Sequence, residues 1–399
     1  MSATDERRPA RILAVSEAPI PSAALGVHAP LAHLAQSTGR CELRTASSID
    51  LPPGDVAWCD SVVLVRGAAP AERRLLVEAR RLGRRVATYM DDDLERVPDE
   101  ARSGYFFTSP TVRANVAAIV READLLLVTS DRLGGELARR HGRPAALLRQ
   151  PRPARMSSAA GARPPAPPRR HEVLRVGFLG SVDHAGFVAR LLGEPLSRLA
   201  AERGDAVEWV FCGAVPDFAR SLGARCEPFE PDFAAWCRTA ASLDLDVALA
   251  PLPDSPFHAC KYFNKYLEYG SLGAAGIYSD VPPFVDAVRA GTTGLLVPNH
   301  SSDWLEATSS LLDDAGLRRR IALAAAADVE QRFSERALEA SWVEALTPLL
   351  GHRAPELDAG AVRLPRGRAR WALDRLAVYG PLRFAERLAG RLTGRLRPG

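Results

Sequence analysis

Lysine is almost missing from this chain. Of the 52 basic residues among 399, only Lys261 and Lys265 are lysines, which leaves 52 − 2 = 50 arginines. Arginine is the default cation here, so two neighbouring lysines mark a place where a compact point charge is wanted rather than a wide planar fork. Also lacking is any C-x-x-C pair: Cys41, Cys59, Cys212, Cys226, Cys237 and Cys260 are scattered. That spacing suggests neither a disulfide framework nor a zinc site, and the cysteines read as buried thiols. No apolar run approaches the ~18 residues of a membrane span, and MSATDERRPARILAV holds no stretch long enough for a signal peptide. The expectation is a cytoplasmic protein.

What is present belongs to a soluble globular chain, with 47% hydrophobic and 25% charged residues. The length exceeds one ordinary core, so two domains plus extras are expected. A net charge of +4 conceals an asymmetry: residues 361–399 hold ten arginines against Asp374 and Glu386, a local +8, leaving 4 − 8 = −4 elsewhere.

From Arg11, apolar strands alternate with helical stretches. RILAVSEAP, CELRTAS, SVVLVRG, RRVATYM, DLLLVTS and AALLRQ read as strands, with helices such as AERRLLVEARRLG and DRLGGELARRHG between them, the latter capped by Ser130 or Asp131. Residues 151–171 are rich in Pro, Ala and Arg without an apolar period and read as a linker. A second series follows with LRVGFLGS, AVEWVFCGA, LDVALAPL and AAGIYSD as strands. Such alternation predicts two doubly wound, mostly parallel sheets, with ligands in the loops after Val15, Met90, Gly180 and Leu252. The expected domains are 1–150, a second half at 172–334, a helix at 335–352 returning to the first half, and a basic tail at 353–399. In that tail Arg383, Arg387, Arg391 and Arg395 repeat every fourth residue beside Phe384, Leu388, Leu392 and Leu396, a basic amphipathic helix. It suits an anionic membrane surface, the protein's own acidic body, or disorder with nucleic-acid contact, the last being the least favoured.

The stretch 251–299 organises the rest. If a helix starts near Lys261, then Lys261, Lys265 and Glu268 stand at i, i+4 and i+7 on one face, with Phe263 and Leu267 turned into the core. A phosphate there would meet unpaired N–H groups, the positive helix end and ammonium groups, while the carboxylate could accept from ribose hydroxyls. The bland alternative is three solvated side chains pairing with one another.

Two doubly wound halves, a Pro-rich hinge, the helix KYFNKYLEYGSLGAAGIYSD, the G-x-x-G-L-L-V element from Gly291 to Val297 and the strand DLLLVTSDRL together resemble the retaining glycosyltransferases of the GT-B fold, in particular family 4. The likeness spans about residues 10–350. It implies two Rossmann-like domains facing a cleft, a nucleotide-sugar donor on the C-terminal half, an acceptor on the N-terminal half, and no required metal or other cofactor. Carried over, Glu268 would hold the donor ribose, Lys265 with Lys261 the diphosphate, and the backbone at Gly180, Gly294 and Leu295 would lie against the donor. The pattern departs in two places. Cys260 stands where the family has its first motif glutamate, and GFLGSVDHAGF offers only Ser181, Asp183 and His184 where the family often has Arg and Lys.

Weaker candidates complete the reading. His184 would contact donor sugar or phosphate, or simply bond its own loop; Ser255 and His258 would line the donor side. Asp91, Asp92 and Asp93 follow a strand end and read as acceptor contacts, as a solvated turn, or as a D-x-D metal site. His28 would touch the acceptor, whereas His33 and His141 read as surface residues. The leading function is sugar transfer to a sugar, lipid-linked or small-molecule acceptor, with the tail near the inner membrane face. A nucleotide-sugar-binding protein without turnover is the alternative, motivated by Cys260; nucleic acid is not an expected partner.

Overall fold

The computed structural model describes residues 8–99, 104–159, 173–365 and 367–392. The chain divides into two compact units, Met1–Gln150 with Glu339–Gly399, and Pro151–Leu338. The first contains a parallel sheet of β1 (Ala10–Ser16), β2 (Cys41–Ser47), β3 (Ser61–Val65), β4 (Arg85–Met90), β5 (Leu125–Val128) and β6 (Ala146–Leu147), in the order β2-β1-β3-β4-β5-β6. The run SVVLV of β3 is buried throughout, as a central strand covered by helices on both faces must be. Leu13, Leu64, Leu75, Val86 and Ile119 fill one face of this core.

The second unit has β7 (Leu174–Gly180), β8 (Val207–Gly213), β9 (Arg225–Glu227), β10 (Val247–Ala250), β11 (Ala275–Ser279) and β12 (Leu295–Val297), in the order β12-β11-β10-β7-β8-β9, all parallel. Counted within the unit this is the Rossmann order, and the chain reverses direction between β7 and β10. In open sheets of this kind ligands bind in the crevice at the carboxyl ends of the two strands where the order reverses. The two doubly wound halves expected from the sequence are present.

Several elements differ from expectation. AALLRQ pairs only through Ala146–Leu147, because the chain then turns into Pro151 and Pro153, which have no N–H for a ladder. The stretch 151–171 is not all linker: Ala154–Ala159 is helical, its Met156 buried in the second core and its Ser157 hydroxyl donating to the Ser271 carbonyl at 3.1 Å. Residues 160–171 lie outside the described residues. After β12 come two helices, Ser301–Asp313 and Ala315–Phe333, divided where the Asp314 carboxylate caps the second by accepting from the Leu317 N–H at 2.8 Å. The helix Asp131–His141 is capped by Ser130.

The tail is not one continuous amphipathic helix. Residue 354 donates its N–H to Asp60 at 2.9 Å, and the helix Arg368–Leu392 is interrupted at Gly380 (φ 73°, ψ 166°) just before Pro381. Before the interruption it packs on its own unit: Arg74 binds Asp374 at 2.9 and 2.5 Å, Arg375 pairs with Glu17, and the Ser109 hydroxyl donates to the Val378 carbonyl at 2.7 Å. The side chains of Arg387, Leu388, Arg391 and Leu392, and all of Arg395 and Leu396, lie outside the described residues. Among the described residues no helix is long and apolar enough to cross a membrane.

Candidate functional site

After β10 the chain runs through Pro251–Asp254 into a short helix, Pro256–Ala259. Ser255 caps it: its hydroxyl accepts from the His258 N–H at 3.3 Å and shares a hydrogen with His258 Nδ1 at 2.7 Å. The next helix begins at Asn264, not near Lys261. Tyr262 and Phe263 stack with ring centroids 4.1 Å apart and pack on the core, and Phe263 has a non-helical ψ of 45°, so the chain turns there instead of winding. Lys261 consequently leaves the face shared by the other two charges. Its ammonium sits 4.6 Å from the centroid of the Phe257 ring.

Lys265 and Glu268 do come together. Their Nζ and Oε2 atoms are 2.7 Å apart, one turn along the helix Asn264–Leu272, with the lysine side chain 21% and the glutamate 10% exposed. Such a pair, mostly out of water, differs from the solvated pairing that was the bland alternative. The helix is seated at the point where the sheet reverses: the buried Tyr269 hydroxyl donates to the Leu249 carbonyl of β10 at 2.8 Å and lies 3.4 Å from the Leu179 N–H of β7. Leu267 and Tyr266 face the core on the same helix. Nearby, Cys212 at the end of β8 is buried, and burial pushes its thiol up to about 11, so it is an unreactive neighbour of the pair.

Gly180 closes β7, where its carbonyl accepts from the Ala214 N–H at 2.8 Å. His184 ends the 3-10 turn Val182–His184, half-buried, with its ring 6.1 Å from Phe178 in an edge contact. Gly294 bridges to Ala290 and then leads into β12 at Leu295, which pairs with Ile277. A Cβ at Gly294 would lie 2.7 Å from the Tyr278 ring, so a side chain there has no room. Two residues missed in the sequence join these strand ends: the Ser279 hydroxyl accepts from the Leu252 N–H at 2.8 Å and bonds Asn299 Oδ1 at 2.6 Å, while Asn299 Nδ2 donates to the Leu252 carbonyl at 2.9 Å. Ser279 is the last residue of β11 and Asn299 follows β12 by two residues, and that placement at strand ends was the signal that could have flagged them.

In the first unit the three adjacent carboxylates are not equivalent. Asp93 has no exposed surface and is held by Arg140 through two bonds of 2.9 and 2.7 Å, so the chain itself occupies that carboxylate. Asp91 and Asp92 face Arg66, at 3.5 and 3.4 Å. Burial opposes the Arg66 charge, but the two carboxylates outweigh it and hold the guanidinium above its ordinary pKa. Arg66 follows β3 with φ at 54°, a left-handed conformation that costs a non-glycine residue on the order of 1–3 kcal/mol. An arginine directly after the apolar run SVVLV was its visible sign. With guanidinium groups already beside all three carboxylates, a divalent cation would have to displace an arginine, and among the described residues no group of three His, Cys, Asp or Glu could hold a metal. His28 ends the π-helical turn Ala24–His28, half-buried, and burial lowers its pKa. His141 is not a surface residue, for its side chain is 4% exposed and bonds Glu95 at 2.6 Å.

No protein-family model matches the chain, and no curated protein matches it in sequence. Solved structures do match in fold. A glycosyltransferase of Rickettsia africae superposes with a TM-score of 0.59 at 13% identity, over 86% of this chain and 99% of the other. HepE of Anabaena, crystallised with UDP, gives 0.55 at 14% identity, over 85% of this chain and 100% of its own. A Listeria monocytogenes protein assigned as a UDP-N-acetylglucosamine 2-epimerase gives 0.53 at 12%, over 85% and 96%. At such identities the likeness is one of fold, and what it shows is that this chain has the two-unit, Rossmann-like GT-B fold.

Proposed function

We propose that this chain is a glycosyltransferase of the retaining, metal-independent kind, similar to family 4, which moves a sugar from a nucleotide-sugar donor to an acceptor hydroxyl. The observation that carries the reading is the Lys265–Glu268 pair on a helix seated where the Rossmann-ordered sheet reverses. Glu268 accepts from the ribose hydroxyls. Lys265 and the unpaired N–H groups at the start of its helix hold the diphosphate, Lys261 adds a second ammonium, and the backbone at Gly180, Gly294 and Leu295 borders the donor. Ser255 and His258, between β10 and Lys261, are further donor contacts, and so is His184 in the turn after β7. As the glycosidic bond breaks, negative charge grows on the leaving diphosphate, where the lysines and helix N–H groups stabilise it. The acceptor hydroxyl attacks on the same face and passes its proton to a donor phosphate oxygen. No side-chain nucleophile is then required. On the first unit Asp91, Asp92, Arg66 and His28 contact the acceptor.

The fold likeness to a structure assigned as an epimerase supports a second reading, conversion of the nucleotide-sugar itself, and Cys260 supports a third, binding without turnover. Product analysis separates them. Incubation with UDP- and GDP-sugars yields free nucleoside diphosphate and a new glycoside or free sugar if the chain is a transferase. An epimerised nucleotide-sugar, or an unchanged one that binds, overturns transfer.

We place the protein in the cytoplasm, peripheral on the inner membrane face and acting in glycan, glycolipid or natural-product synthesis. The support is compositional: beyond the break at Gly380 the sequence carries Arg383, Arg387, Arg391 and Arg395 beside an apolar row. Co-flotation with vesicles containing anionic lipid, lost on removing residues 381–399, is the expected result; flotation equal with neutral vesicles refutes it.

A further inference from the structure

The second unit keeps one carboxylate almost wholly from water, and it touches both elements that border the donor. Asp328, on the helix Ala315–Phe333, is 3% exposed. Its Oδ2 accepts from the Tyr266 hydroxyl at 2.5 Å, and Tyr266 sits on the helix of Lys265 and Glu268, adjacent to Lys265. Its Oδ1 lies 3.1 Å from Arg289, which opens the turn leading to Gly294 and Leu295. Arg332, one turn further along the Asp328 helix, completes the node at 3.0 Å and also donates to the Ala287 carbonyl at 3.3 Å.

Both elements are tied to this node, beside the apolar packing they share with the same helix. In the turn, Arg289 donates its backbone N–H to the Thr293 hydroxyl at 2.9 Å. Gly291 adopts φ of 69° and donates to the Gly294 carbonyl at 2.8 Å, which closes the loop. On the helix, a Cβ at Gly270 would lie 2.7 Å from the Val329 side chain, so the helix rests directly on the helix that carries Asp328. A hydrophobic contact would seat the helix equally well. It would not set its height relative to the turn, because packing is non-directional whereas a carboxylate with three donors has fixed geometry.

We propose that Asp328 is a positioning residue that fixes the spacing between the Lys265–Glu268 helix and the turn Arg289–Leu295, so that a nucleoside diphosphate is gripped by both. The inference rests on the donor reading above, and it adds a residue that touches no substrate. Arg289 and Tyr266 are its two arms, one to the turn and one to the helix. Arg289 is largely exposed, so its removal threatens no core, and Tyr266→Phe keeps the buried ring while deleting only the hydroxyl.

Hydrogen exchange followed by mass spectrometry on Asp328→Asn, Arg289→Ala and Tyr266→Phe, beside UDP, GDP and ADP affinities measured well below each variant's melting temperature, tests this. Asp328→Asn is expected to speed exchange in both 264–272 and 289–295 while leaving β7 and β8 protected, and to weaken nucleotide binding by on the order of tenfold or more, the worth of a lost charge-assisted bond. Arg289→Ala loosens the turn alone, and Tyr266→Phe the helix side alone. Unchanged exchange in either segment of Asp328→Asn overturns the coupling. Faster exchange with wild-type nucleotide affinity overturns the positioning role, since a merely structural residue would lower the melting temperature and leave the affinity alone. Should the wild type bind none of the three nucleotides, the donor reading fails, and with it the positioning role, whatever the exchange data show.

Discussion

Replacing Lys265 by alanine separates what the Lys265–Glu268 pair does for the fold from what it does for a ligand. The lysine removes its ammonium from 2.7 Å beside a carboxylate that is 10% exposed. Left alone, that carboxylate costs roughly 1–3 kcal/mol, the penalty for an unsatisfied buried acceptor, which for a unit of this size lowers the melting temperature by about 2–4 °C per kcal/mol. The same substitution deletes the charge-assisted contact proposed for the diphosphate, worth about 1.5–3 kcal/mol, so nucleotide affinity is expected to fall roughly 10- to 150-fold. Turnover falls further, by several orders of magnitude, because the lost interaction strengthens as the leaving group gains charge. The double variant Lys265→Ala/Glu268→Ala isolates the two effects. Without the orphaned carboxylate it recovers most of the stability, yet it stays deficient in binding. Differential scanning calorimetry and titration calorimetry with the same nucleoside diphosphate read both quantities. Wild-type affinity and activity in Lys265→Ala would refute the assignment, however large the stability loss.

Arg140→Ala leaves the buried Asp93 with only Arg96, 4.0 Å away, so urea denaturation should show a loss on the order of 3 kcal/mol, while Asp93→Asn loses much less. Equal losses in the two variants would mean the charge is not what matters. Burial pushes the Glu72 carboxyl from 4.5 up to about 7, against the Ala68 and Ala69 N–H groups and the Ser48 hydroxyl that favour its charged form. The folded protein then holds a proton that the unfolded chain has released, so this group makes stability fall as pH rises from about 4.5 to about 7, by roughly 3 kcal/mol, and Glu72→Gln should flatten that slope in denaturation at pH 5 and 7.5. A slope unchanged by Glu72→Gln contradicts it. Gly294→Ala should cost on the order of 1–3 kcal/mol, since the new methyl meets Tyr278 at 2.7 Å and Val288 at 2.9 Å; a Tm within a degree of wild type would show the turn yields freely.

Much of the architecture was legible in the sequence. Runs such as SVVLV and LDVALAPL are apolar over the length of a strand with helical stretches between, and only a parallel sheet covered on both faces accommodates that pattern. The helix holding Lys265 and Glu268 was legible too, but its start was not. Two aromatic rings at Tyr262 and Phe263 are drawn into the core and turn the chain, which charge spacing cannot reveal, so Lys261 left the shared face. Nor could three consecutive aspartates be told apart, because which of them meets Arg66 at the end of β3 and which Arg140 on the helix Asp131–His141 is set by how those elements pack.

By itself the sequence determined the alternation of strands and helices, the rarity of lysine and the basic end of the chain, since composition and periodicity are local properties. Tertiary structure alone decided the strand order that puts β7 beside β10, the seating of the Lys265–Glu268 helix against both strands through Tyr269, and the convergence of Tyr266, Arg289 and Arg332 on Asp328. These are meetings between residues distant in the chain. They are fixed by which apolar faces bury together, and no single segment contains that information.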